Sequence, residues 1–364
     1  MHVVATAGHV DHGKSTLIKA LTGTDPDRLE EEKARGLTID LGFAGAKLSS
    51  GRGISFIDVP GHVRFLKNML AGVGGVDACI FVVAATEGWK PQSEEHLRIL
   101  SLLGIRHGIV ALTKVGHVDD ELATIAQMEI ADRTEGTFLA DAPIVPVDAI
   151  DGHGIDDLNA ALDHLLDVTP TARDDKKPRL WIDRVFAAKG AGTVVTGTLT
   201  GGMVRVEDEL AVLPQHTTVR VRGLQSQYAD RTKVGPGNRV AANLSGVSHD
   251  QLRRGDVLVR PDDWHVTRTI DASLRVLESL DRPVTRRGAH LLYLGSGEHP
   301  VRVRVLGPDA IEPGATGAVR MHRGRARERG RDALRNRGRA GAPRAESPAG
   351  RAIPALADWR RSCG

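Results

Sequence analysis

The stretch Gly8-His9-Val10-Asp11-His12-Gly13-Lys14-Ser15-Thr16 decides the fold of this chain. It has the spacing G-x-x-x-x-G-K-[ST] and lies between an apolar run, Val3-Val4-Ala5, and the helix-forming Leu17-Ile18-Lys19-Ala20-Leu21-Thr22. Strand, glycine-rich turn and helix is the context in which that pattern cradles phosphate. Glycines at both ends let backbone N–H groups turn inward around a β-phosphate, and the following helix points its positive end at the same charge. Lys14 then reaches the β- and γ-phosphates, and the Ser15 hydroxyl is placed to ligate Mg²⁺. A plain glycine turn is the competing reading, and the complete motif argues against it.

Outward from this loop, residues 1 to 170 alternate between short apolar runs and helical stretches. Ile54 to Val59, Cys79 to Ala84 and Gly108 to Thr113 suit buried parallel strands. Gln92 to Leu103 and Glu121 to Glu135 suit helices, so the expected fold class is a doubly wound α/β sheet. Thr169 to Pro178 reads as a linker. From Arg179 the pattern becomes β: Thr193 to Leu199, Glu209 to Leu213, Val219 to Leu224 and Arg239 to Leu244, with turn signals between. A small β-barrel over 179–260 is expected. A second β region over 268–322 carries Ser273 to Leu277, His290 to Leu294 and Val301 to Leu306, and reads as a second, incomplete barrel.

At 364 residues the chain is long enough for two or three domains, and 41% hydrophobic residues suit a globular protein. The only cysteines, Cys79 and Cys363, exclude a disulfide framework, so a reducing, cytoplasmic setting is expected. The first strand starts at the N-terminus and leaves no room for a cleavable signal. The longest apolar stretch, Ala78 to Ala85, is too short to span a bilayer, so no membrane partner is expected. The net charge of +3 hides a split. From Val319 onward thirteen arginines face four acids, a net of +9, which leaves −6 for the rest. Residues 323–364 have no apolar period and are expected to be disordered in isolation. Two readings of this tail stand: an arginine-rich RNA-binding arm, or the product of a frame slip in GC-rich DNA. The abrupt stop of a well-patterned β region favours the slip.

A second motif, Asp58-Val59-Pro60-Gly61-His62, ends a predicted strand beside the phosphate loop. Asp58 is placed to hold Mg²⁺ through water, the Gly61 N–H to contact a γ-phosphate, and His62 to orient an attacking water. Such positioning accounts for most of phosphoryl-transfer catalysis. Between the motifs, Glu31 to Asp40 ends in Gly-Leu-Thr-Ile and suits a loop that docks when Thr38 ligates Mg²⁺. Two other patterns carry less. His9, Asp11 and His12 could be a metal cluster, but they fill the variable positions of the phosphate loop. Gly190-Ala191-Gly192 precedes a strand-like run, not the helix a dinucleotide fingerprint needs.

On these residues the chain resembles translational GTPases of the elongation-factor-Tu type. Gly8 to Thr16, Arg35-Gly36-Leu37-Thr38-Ile39 and Asp58 to His62 carry the likeness. Within that superfamily it is similar to the selenocysteine-specific elongation factors (SelB). The pieces are Thr38 to Ala44, Phe65 to Gly72, Thr113-Lys114 in place of Asn-Lys, Ile182 to Phe186 and Lys189 to Gly197. The resemblance implies a GTPase with GTP and Mg²⁺ as cofactors, and a P-loop domain followed by two β-barrels. Gly8, His9, Val10, Asp11, His12, Gly13, Lys14, Ser15, Thr16, Asp58, Gly61, Thr113, Lys114 and the Ala149 N–H would bind the nucleotide. Ser15, Thr38 and Asp58 would hold the metal, and His62 would be catalytic, held back by Val10 and Leu37 until the ribosome positions it. It implies delivery of selenocysteyl-tRNA to the ribosome, with Asp183, Arg184 and Arg239 forming the selenocysteine pocket. A selenol is anionic at neutral pH, so a cationic pocket prefers it over the serine carried by the same tRNA.

Departures from the family pattern sharpen these expectations. Gly116 stands where the family has the acid that reads guanine N1 and N2, and aspartate at 116 is expected to tighten GTP over ATP. Asp119 is out of register to replace it. Asp148-Ala149 replaces Ser-Ala, and Gln227 replaces a histidine common in the family's barrel. The family continues into winged helices that bind an mRNA selenocysteine hairpin, so that partner is expected only if such domains exist. Another translational GTPase, or a non-catalytic nucleotide- or RNA-binding relic, remains an alternative.

Overall fold

The computed structural model describes residues 1–26, 38, 40–60, 75–188, 190–278, 280–324 and 357–358. Packing divides the chain into two units, one of residues 1–266 with 293–297 and one of 267–292 with 298–364.

The first unit opens on a sheet of six strands: β1 (His2–Gly8), β2 (Gly42–Lys47), β3 (Gly53–Asp58), β4 (Ala78–Ala84), β5 (Gly108–Thr113) and β6 (Ile144–Pro146). Their order is β2-β3-β1-β4-β5-β6, parallel except for β2, which pairs antiparallel with β3. The sheet is therefore mixed rather than wholly parallel. Every residue of β1, β4 and β5 is buried, as expected for parallel strands covered on both faces. The covering helices are α1 (Lys14–Thr22), α2 (Pro91–Leu102), α3 (Asp120–Thr134) and α4 (Ile155–Val168). One face holds Phe81, Leu97, Leu100 and Ile130; the other holds Leu17, Phe56, Leu158 and Leu162. Since β1, β3, β4, β5 and β6 run the same way, the loops that leave their C-terminal ends collect along one edge.

The chain then forms β7 (Arg179–Ala188), β8 (Gly192–Thr200), β9 (Val204–Arg205), β10 (Glu209–Leu213), β11 (Thr217–Ser226), β12 (Ala229–Arg231), β13 (Lys233–Val234), β14 (Asn238–Ser245) and β15 (Val257–Val259). The order β10-β15-β7-β8-β14-β11 closes because β11 pairs back with β10. Val, Leu and Ile fill the barrel, among them Ile182, Val195, Leu199, Val221 and Leu258. The register slips between Ile182 and Arg184, so Asp183 is an extra residue in β7. The partner strand carries Gly197 at the slip, where a Cβ would lie 2.2 Å from the Trp181 carbonyl oxygen. The barrel is fastened to the sheet domain by Gln227, whose Nε2 donates to the Ile54 carbonyl at 3.3 Å.

In the second unit, strands Thr269–Arg275, Gly297–Val305 and Thr316–Arg323 alternate apolar and polar, burying Ala272 and Leu274, Val301, Val303 and Val305, and Val319 and Met321. The first begins four residues before the expected Ser273 and ends at Arg275. The tail from 325 lies outside the described residues except for Ala357–Asp358, which pairs antiparallel with residues 273–274.

At the base of β1, the Val3 N–H donates to Asp77 Oδ2 at 2.8 Å. Burial pushes the Asp77 carboxyl up to about 6, from an ordinary 3.8. The folded state therefore holds this proton where the unfolded chain has lost it, and a stability penalty grows from about pH 4 to 6 and persists above. Asp77→Asn keeps the acceptor without the charge. It is expected to stabilise the protein by about 2 kcal/mol at pH 7.5 and by nothing near pH 4. Urea unfolding at both pH values checks this, and an increment independent of pH contradicts it.

Candidate functional site

The phosphate loop is built by backbone constraints before any side chain matters. Gly8 ends β1 at φ 135°, and a Cβ there would lie 2.1 Å from the Val82 carbonyl oxygen, so no other residue fits. The Gly8 N–H donates to His96 Nδ1 at 3.0 Å and the Val10 N–H to Gln92 Oε1 at 3.1 Å. His12 is buried, and its Nδ1 donates to the Val82 carbonyl at 3.3 Å. Burial drives its pKa down to about 3, so the ring is neutral and packs edge-on to His9 at 5.0 Å. Lys14 is buried too, and its Nζ donates to the His9 carbonyl at 2.6 Å across the mouth of the loop. Thr16 is exposed on the first turn of α1, and Asp11 at the exposed tip has φ 62°.

Three oxygens expected at one metal come together. Asp58, wholly buried at the end of β3, accepts from Thr6 Oγ1 at 2.6 Å and from Ser15 Oγ at 2.6 Å. Ser15 Oγ lies 2.8 Å from Thr38 Oγ1. Two hydroxyls and a carboxylate are hard oxygen donors, the set that suits Mg²⁺ with several of its waters retained. A metal cluster of His9, Asp11 and His12 finds no counterpart among the described residues. Gly61, His62 and Leu37 lie outside the described residues.

The base-side loops follow β5 and β6. Thr113 Oγ1 donates to the His12 carbonyl at 2.6 Å and so ties the end of β5 to the phosphate loop. Lys114 takes φ 60° and sets its Nζ 3.6 Å from Glu87 Oε1. Gly116 lies in a short turn opposite Asp148 and the half-buried Ala149. A Cβ at 116 would stand 2.9 Å from Asp148 Oδ2, so a side chain at 116 would have to turn that carboxylate aside. Gly116→Asp would set a second carboxylate beside Asp148, a like-charge neighbour that opposes the gain expected from an acid at 116. Asp119 is committed elsewhere, capping α3 through the Leu122 N–H at 2.8 Å.

The arginine pocket lies on the barrel strands that face β2. At the slip in β7, Asp183 lies on the barrel face toward β2, where Arg239 grips it with both terminal guanidinium nitrogens and Thr196 Oγ1 donates at 2.7 Å. Arg184 reaches across to Asp40 at 3.4 Å and to the Leu41 carbonyl. Both guanidinium groups stack on the Phe43 ring, Arg239 at 3.9 Å and Arg184 at 4.8 Å. Arg254 joins at 3.6 Å from Asp40. The three expected residues therefore converge. Asp40 and Arg254, which the sequence did not mark as pocket residues, complete the group around Phe43. Thr6, Gln92 and His96 were also missed; only the i, i+4 placement of Gln92 and His96 on one helix gave a trace of a shared face.

Residues 1–168 match the family model described as the elongation factor Tu GTP binding domain, and residues 192–259 match elongation factor Tu domain 2. The selenocysteine-specific elongation factor of Desulfomicrobium baculatum is 42% identical over 319 residues, covering 88% of this chain and 50% of that protein. Translation initiation factor 2 subunit gamma of Thermococcus kodakarensis is 31% identical over 363 residues, covering 85% and 88%. Among solved structures, a bacterial selenocysteine-specific elongation factor, EF-Sec, superposes with a TM-score of 0.79 at 36% identity, covering 88% of this chain and 53% of that one. The chain thus spans about half the length of the selenocysteine-specific factors it matches.

Arg239 and Asp183 are 12% and 4% exposed, so removing one partner strands the other's charge in the protein. Arg239→Met is expected to cost about 3 kcal/mol in urea unfolding, and Asp183→Asn added to it to recover a substantial part. A loss below about 1 kcal/mol would mean that the pair behaves as a solvated surface contact.

Proposed function

This chain belongs to the translational GTPases of the elongation-factor-Tu type, in the branch of the selenocysteine-specific factors, and from that we propose that it hydrolyses GTP and carries selenocysteyl-tRNA to the ribosome. The observation that carries the nucleotide part is the contact of Ser15, Thr38 and Asp58 beside a phosphate loop whose lysine lies across its mouth. Ser15 and Thr38 would hold Mg²⁺ directly and Asp58 through water. The ion, when bound, neutralises charge on the β- and γ-phosphates.

Residues 8–16 would surround the phosphates with N–H groups, and Lys14 would leave the His9 carbonyl for the γ-phosphate. Thr113, Lys114 and the Ala149 N–H would flank the base. Thr38 sits two residues from Asp40, which meets Arg184 and Arg254, so a γ-phosphate held at one end of this segment would bear on the arginines at the other. Gly61 would donate its N–H to the γ-phosphate, and His62 would orient the attacking water when the ribosome places it.

The amino-acid part rests on charge. Arg184, Arg239 and Arg254 face Asp40 and Asp183, three guanidinium groups against two carboxylates, which leaves these five residues one positive charge in excess. An anionic selenocysteine balances that excess, and a neutral serine does not.

Competition between seryl- and selenocysteyl-tRNA for the GTP-loaded protein tests the assignment. Selenocysteyl-tRNA is expected to bind at least about 10-fold tighter, one charge-assisted contact's worth; equal binding contradicts it. His62→Ala is expected to lower ribosome-dependent kcat by roughly 10²- to 10⁴-fold. An unchanged kcat would remove His62 from the chemistry.

A further inference from the structure

Position 116 offers no side chain to a base, yet a carboxylate stands beside it. Asp148, from the neighbouring loop, sets Oδ2 2.9 Å from where a Cβ of residue 116 would stand. We propose that Asp148 is the residue that reads the Watson–Crick edge of guanine in this protein, the acid having moved from one base-side loop to the other. The inference deepens the nucleotide reading above and rests on it.

The topology says where a base must lie. The phosphate loop leaves β1, and the loops holding Gly116 and Asp148 leave β5 and β6, parallel strands whose ends share one edge of the sheet. The Thr113 hydroxyl on the His12 carbonyl holds the β5 end against the phosphate loop. A nucleotide with its phosphates in that loop lays its base over the β5 and β6 loops, the crevice that open α/β sheets offer to ligands.

The chemistry then selects the base. Guanine presents N1–H and N2–H as donors and O6 as an acceptor. A carboxylate beside a backbone N–H complements all three, and Asp148 is followed directly by the Ala149 N–H. Adenine presents an acceptor at N1 and a donor at N6, so the same pair repels it at both positions.

Asp148 is suited to the role. Its side chain is 5% exposed, and Oδ1 accepts the Ile150 N–H at 3.0 Å, which fixes the carboxylate's direction. Burial alone would raise its pKa. The N–H groups of Ile150, Gly116 and Asp151, with His117 nearby, outweigh that and hold it below the usual carboxylate range, so it is ionised. Oδ2 faces the His117 ring at 3.4 Å, and that side chain is 59% exposed and free to give way to a base. Asp151 stands further off, its Oδ2 3.5 Å from the same Cβ position and its Oδ1 holding the His153 N–H. Asp119 caps a helix.

The test is direct binding of GTP, ATP and xanthosine triphosphate to the full chain, each measured by calorimetry. The wild-type protein is expected to prefer GTP. D148N replaces an acceptor by an amide that donates to the C2 carbonyl of xanthine. It is expected to lose about 100-fold or more in GTP affinity, two charge-assisted bonds' worth, and to gain xanthosine triphosphate binding. A loop that Asp148 merely braces would show no such gain. G116D is expected to weaken GTP about 10-fold or more by like-charge crowding, and G116D/D148S to restore it by returning the acid to the first loop. GTP affinity unchanged in D148N, or a double variant no tighter than G116D alone, overturns the proposal. A wild-type protein that binds neither GTP nor guanosine diphosphate would instead overturn the nucleotide reading on which it rests.

Discussion

One buried carboxylate organises the nucleotide end of this molecule. Asp58 has no exposed surface, and both of its oxygens accept hydroxyl hydrogen bonds, from Thr6 in β1 and from Ser15 at the start of α1. Three separate pieces of chain are thus pinned to one charge: the end of β3, the body of β1 and the mouth of the phosphate loop. A charge so deeply buried costs several kcal/mol unless its lone pairs are satisfied. Thr6 and Ser15 supply that satisfaction. Thr38, on Ser15, extends the chain of contacts to the segment that also carries Asp40. Asp40, two residues along the chain from Thr38, meets Arg184 and Arg254, so the phosphate loop and the arginine group around Phe43 hold two ends of one short segment.

Much of this was legible in sequence because it depends on local pattern. Buried parallel strands show as unbroken apolar runs, and β5 falls on Gly108 to Thr113 and β10 on Glu209 to Leu213, as expected. The phosphate loop was legible because its glycines meet a backbone need: at Gly8 the Val82 carbonyl leaves no room for a Cβ. Features set by register were not legible. Strand β2, with its two glycines and few branched residues, gave little sign of strand, and nothing local showed that it would run against β3. The slip at Asp183 depends on how β7 meets β8, which a single strand does not record.

The base-side loops show the same limit in sharper form. The sequence displays a loss at Gly116 and an unusual acid at Asp148, thirty-two positions apart, with nothing to show that the two side-chain positions adjoin. Only the parallel pairing of β5 with β6 brings the loss and the gain into one place. The improvement expected from aspartate at 116 is therefore opposed by a like charge beside it. The arginine group behaves similarly: Arg184 and Arg239 could be named as cations, but Phe43 beneath them in β2, and Asp40 just before that strand, come from some 140 to 200 residues earlier in the chain.

Ser15, Thr38 and Asp58 are proposed to seat a cation that makes the third phosphate matter. The most direct measurement is the ratio of affinities for a non-hydrolysable GTP analogue and guanosine diphosphate, taken by calorimetry with Mg²⁺ and again with the ion chelated. A ratio favouring the triphosphate that collapses on chelation, and collapses likewise with Mg²⁺ present in Thr38→Ala, is the expected result. A ratio indifferent to both Mg²⁺ and Thr38 would contradict the claim.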